Sequence, residues 1–105
     1  MLTWLRTGEV DRFVDGVVGD LVKQHPPGKT DPGSKKQTQR LIKIHQSILD
    51  RVGRFTRDNK LSLYQKAHLG NRFKWALREA GYAPAFVDAI TQEVVTVATL
   101  ARKGR

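Results

Sequence analysis

No cysteine occurs in this 105-residue chain, which excludes disulfides, thiolate metal sites and cysteine nucleophiles at once. Acidic residues are scarce, ten against nineteen lysines and arginines, leaving a formal net charge of +9. No stretch approaches the ~18 consecutive apolar residues that a membrane-spanning helix needs. The opening Met1-Leu2-Thr3-Trp4-Leu5-Arg6 has neither a long apolar run nor a small-residue cleavage site, so it does not read as a signal peptide. A cytoplasmic domain is the expectation. Histidine is limited to His25, His45 and His68, too far apart for a helical pair to grip a metal. A Gly-x-Ser-x-Gly elbow and an evident acid–base pair are both missing, so the expectation is no metal, no cofactor and no enzymatic activity.

Proline is also rare, and its placement punctuates the chain. Three of the four prolines fall in 25–33, His-Pro-Pro-Gly-Lys-Thr-Asp-Pro-Gly, which predicts a loop that ends one helix and precedes another. Gly28-Lys29-Thr30 in that loop has the ending of a phosphate-binding Gly-x-x-x-x-Gly-Lys-Thr motif. Its first glycine position is Lys23, and a helix rather than a strand leads into it, so the match is coincidental.

The remaining 39% apolar residues suffice for one core in a single domain, and they recur at helical spacing. Val10, Phe13, Val14, Val17, Val18, Leu21 and Val22 form one stripe, with Thr7 as a candidate cap. Ser34-Lys35-Lys36-Gln37 has capping-box form and opens a second helix with the stripe Leu41, Ile44, Ile48, Val52 and Phe55. Ser62-Leu63-Tyr64-Gln65 is another such box, opening a third helix on Leu69, Phe73, Ala76, Leu77 and Ala80. Gly81 and Tyr82 then suit a Schellman ending. Pro84 suits the first turn of a fourth helix, whose stripe is Phe86, Ile90, Val94, Val97 and Ala101. The prediction is an all-α, antiparallel four-helix bundle with short loops, the helices covering about 8–24, 35–58, 63–80 and 84–102.

The charge is unevenly spread. Residues 29–78 carry +10, with only Asp31, Asp50 and Asp58 opposing thirteen cations. At 100° per residue, Lys36, Arg40, Lys43 and Arg54 gather on the outer side of the second helix, with Arg51 at the border. They form a basic ridge roughly 27 Å long. On the third helix Tyr64, His68, Asn71, Trp75 and Arg78 lie opposite Phe73, flanked by Arg72 and Lys74. Rings interleaved with cations can stack bases while the charges hold phosphates. The bland reading of the same face is a second core contact that covers Tyr64 and Trp75. A helix-turn-helix broken at Gly70-Asn71 fits poorly, because Lys66 falls inside its expected buried set.

The expected function is therefore binding: a module that engages nucleic acid, DNA or RNA, or a ribonucleoprotein, through a basic surface on the second and third helices. Its affinity would fall steeply with salt. The alternatives are an adaptor that docks on an acidic protein or self-associates through a helix face, and, third, a binder of anionic lipid.

Overall fold

The structure, a computed structural model, describes residues 6–27 and 35–101, and side chains from 6–27 and 39–101. The described chain is all helical: α1 (Gly8–Gln24), α2 (Lys35–Asp58), α3 (Leu63–Ala80) and α4 (Pro84–Leu100). None of these helices is long and apolar enough to cross a membrane. The second predicted helix opening, at Ser34, lies outside the described residues.

Local chemistry sets most of the ends. At the start of α3 the Gln65 amide donates to Ser62 Oγ (3.2 Å), and the Ser62 amide donates to Gln65 Oε1 (2.8 Å). This reciprocal box satisfies two otherwise orphaned donors. At its other end Gly81 sits at φ 100°, and the Tyr82 amide reaches back to the Leu77 carbonyl at 3.2 Å, the Schellman arrangement. Pro84 occupies the first turn of α4. At α1, Thr7 serves only through its backbone carbonyl, which accepts from the Asp11 amide at 2.9 Å; its side chain makes no capping bond. α2 runs unbroken through Gly53 to Asp58.

The tertiary contacts define the direction of each helix. Phe13 stacks flat on Phe55 at 4.1 Å, and Arg51 meets Asp20; residue numbers rise on one helix and fall on the other, so α1 and α2 run antiparallel. Gly70 lies against Val95 across the tight 81–83 turn, making α3 and α4 antiparallel too. Asp11 meets His68, Asp15 meets Arg72, and Tyr82 bonds the His25 carbonyl, each pair 57 residues apart. That constant offset shows that α1 and α3 run side by side in the same direction. The principal packing contacts are α1 on α3, α3 on α4 and α2 on α4. Around the bundle the order is thus α1, α3, α4, α2, and α2 and α3 occupy opposite corners.

The core fills the middle of this ring. Val10, Val14, Val17 and Leu21 from α1 meet Ile48 and Val52 from α2, with Leu69, Phe73 and Leu77 from α3. Phe13 bridges two corners, stacking on Phe55 and meeting Phe73 edge-on at 6.4 Å. Burying a side chain the size of Phe73 is worth about 1.5–3 kcal/mol. On α4 the buried residues are Val87, Ile90, Val94 and Ala98, while Phe86 and Val97 sit at the margin. The buried face is turned from the predicted stripe because α4 packs against α3 and α2 together.

Candidate nucleic-acid interface

Thirteen cations in one segment invite pairing, and the acids of α1 supply it. Arg51 donates to Asp20 at 3.1 Å. Arg72 donates to both carboxylate oxygens of Asp15, at 3.0 and 3.1 Å, with Asp11 also 3.8 Å from its Nε. The bond to Asp15 raises the Arg72 pKa further. His68 Nε2 lies 2.7 Å from Asp11 Oδ1. On α2, Arg54 bonds Asp50 one turn earlier, and that bond raises its pKa as well. Four of the predicted binding residues, Arg51, Arg54, His68 and Arg72, thus already face carboxylates.

What remains of the ridge on α2 is its N-terminal part. Arg40 and Lys43 are exposed and form no ion pair with another described residue. The Lys36 side chain lies outside the described residues. Because α2 and α3 are at opposite corners, the outer face of α2 points away from the outer face of α3. The structure does not join the two predicted surfaces into one.

The outer face of α3 holds together. Tyr64 is 49% exposed and Trp75 50%, so neither ring is a core residue. The Arg78 guanidinium carbon lies 5.1 Å from the Trp75 ring centroid, within cation–π range. Asn71 is exposed between the rings and Lys74 half-buried on the flank. A helix rises 1.5 Å per residue, so the two rings are about 16 Å apart along the axis. Leu63, 82% exposed, precedes Tyr64 and lies about 100° round the helix from it, on the flank that also carries Lys74. Helical projection leaves it out of the binding set, because it falls neither on the apolar stripe nor on the Tyr64–Trp75 line.

Helix α3 is continuous through Gly70 and Asn71, which removes the helix-turn-helix alternative. Among the described residues no group of three or more His, Asp or Glu side chains could hold a metal ion. His45 Nε2 pairs with Glu93 at 2.6 Å and ties α2 to α4. No protein-family model matches the chain, and no curated protein and no solved structure is significantly similar to it.

Proposed function

We propose that the protein is a non-enzymatic binding module for single-stranded nucleic acid, and that it binds through the outer face of α3. One observation carries the reading: two half-exposed aromatic rings lie on one helix face, one of them with an arginine over it. Bases stack on such rings whatever their identity, at about 1–3 kcal/mol per base. Arg78 and Lys74 supply the phosphate contacts. A single strand suits this face better than a duplex, because the longer ridge on α2 lies on the opposite side and is interrupted by the Asp50–Arg54 pair.

Two phosphate contacts imply a shallow salt response for a short oligonucleotide. At about −0.7 per contact the slope of log K against log salt is about −1.4, or about sevenfold between 50 and 200 mM. Fluorescence anisotropy of a labelled hexanucleotide tests this. A slope steeper than about −3 would require cations outside α3 and overturn the assignment.

The exposure of Leu63 beside Tyr64 favours a second reading, in which α3 is a protein-docking face with Trp75 as its anchor. Size-exclusion chromatography with light scattering decides for self-association. An acidic protein retained in high salt decides for a partner of another kind.

A further inference from the structure

Because α1 and α3 run in the same direction, both begin at the same end of the bundle, where α2 also ends. A cleft of about 450 Å³ opens there between α1 and the α2–α3 turn, and Arg6, Arg12, Lys60 and Glu9 line it with Ser62 and Gln65. Three cations converge against one carboxylate, Lys60 coming from 48 or more residues along the chain from Arg6, Glu9 and Arg12. None of the four charged groups forms an ion pair with another described residue. The placement is braced: Gln65 Nε2 donates to the Arg6 carbonyl at 2.7 Å, fixing the entry to α1 against the start of α3.

Two further details make the cleft receptive to negative charge. The first turn of α1 has no side-chain cap, and Gly8 lines the cleft with no side chain to screen that backbone. A Cβ placed on Gly8 would lie 3.8 Å from Arg12 Nη1, so the guanidinium extends across the uncapped turn. The charge of the helix end and of Arg12 therefore act at one place. The second detail is Lys60, at φ 50°, the one non-glycine residue with positive φ among those described. Glycine or asparagine adopts that conformation at lower cost, yet the position that closes α2 holds a lysine, and it lines the cleft.

The geometry points to a pocket for a phosphate-class oxyanion, a diphosphate or a phosphate ester. Guanidinium groups bind such oxygens in pairs, the lysine supplies a point charge, and the open amides supply further donors. The volume lies in the range of small-ligand sites and leaves no room for a duplex. This inference does not depend on the α3 face, although Ser62 and Gln65 place the cleft beside Tyr64. The anion therefore has two sources, a free phosphate compound or the phosphorylated end of a strand.

Isothermal titration calorimetry with pyrophosphate on the full chain tests the pocket, using Arg12→Gln, Lys60→Gly, Glu9→Gln and Trp75→Ala. Saturable binding is expected. Arg12→Gln and Lys60→Gly should each weaken it by about tenfold or more, Glu9→Gln should tighten it, and Trp75→Ala should leave it unchanged. Lys60→Gly relieves the backbone, so an unaltered or higher melting temperature will separate lost binding from lost folding. No saturable binding at millimolar pyrophosphate, or equal affinity in wild type and in both cation variants, overturns the assignment. A 5′-phosphorylated oligonucleotide that outbinds its 5′-hydroxyl counterpart in wild type, but not in Lys60→Gly, assigns the anion to a strand end. Equal oligonucleotide binding beside saturable pyrophosphate binding assigns it to a free phosphate compound.

Discussion

Replacing Gly70 by alanine tests how closely α3 and α4 pack. Gly70 is buried in the middle of α3, and a Cβ there would stand 2.5 Å from Val95 Cγ2 on α4. That is about 1 Å inside ordinary contact between carbon atoms. Helix propensity alone favours alanine by about 1 kcal/mol. Against it stands overpacking, typically about 1–3 kcal/mol, because a β-branched valine in a helix is largely confined to one rotamer. The expected balance is destabilisation by about 1 kcal/mol, or a fall of about 4–8 °C in melting temperature for a domain of this size. Val95 is itself 41% exposed, so Val95→Ala removes the obstructing methyl group with little loss of burial. In that background Gly70→Ala should stabilise by about 1 kcal/mol, its effect reversing sign. Urea unfolding of the wild type, both single variants and the double variant gives a coupling of about 2 kcal/mol. If Gly70→Ala stabilises equally in both backgrounds, α3 and α4 do not approach as described.

Three further outcomes are expected. In a Trp4→Phe variant, Trp75 is the sole tryptophan; iodide should quench it readily, since it is half-exposed beside Arg78, whose charge attracts the quencher. A shielded Trp75 would refute the stacking face. Lys60→Gly should be neutral to stabilising by about 0–1 kcal/mol, because relief of the left-handed conformation, about 1–2 kcal/mol, outweighs the added freedom of the unfolded chain, about 0.4–1 kcal/mol. A clear loss in thermal melts would contradict the strain at that turn. Tyr82 donates its hydroxyl to the buried His25 carbonyl at 2.7 Å, and burial raises its pKa above the ordinary 10.0. Its contribution is complete below pH 10 and is lost as pH rises through the folded-state value. Tyr82→Phe should therefore cost about 1–2 kcal/mol at neutral pH and flatten the alkaline decline of stability, as read from urea midpoints across pH.

The parts of the fold legible in the sequence are those decided within a few residues. The Ser62/Gln65 box, the Gly81–Tyr82 ending and Pro84 at the start of α4 each solve a local hydrogen-bonding or dihedral problem, so their spacing announces them. The order of helices around the bundle was not legible, because it depends on pairs such as Phe13 with Phe55 and Asp15 with Arg72, 42 and 57 residues apart. The glycines show the same limit. Gly70 reads as a possible helix break, yet it lies inside a continuous helix where Val95 of α4 leaves no room for a Cβ. For the candidate site, helical projection separated outer from inner faces and placed Tyr64, Asn71, Trp75 and Arg78 together on α3. The acids of α1 are legible as possible partners for cations on a neighbouring helix, but projection does not say that they take up Arg51, His68 and Arg72. Nor could it show that Arg6, Arg12 and Lys60 would meet at one end of the molecule, since no periodicity links them.

The most direct test of α3 as the binding face is the affinity of a short single-stranded oligonucleotide at physiological ionic strength, measured for wild type, Trp75→Ala and Arg40→Glu/Lys43→Glu. Loss of one stacked base, at about 1–3 kcal/mol, should weaken binding about 5- to 150-fold in Trp75→Ala. The α2 variant should stay within about twofold of wild type, because its charges lie across a bundle two helices thick, about 20 Å, beyond the ~8 Å screening length. Abolished binding in the α2 variant together with unchanged binding in Trp75→Ala would contradict the assignment and move the interface to the opposite side of the molecule.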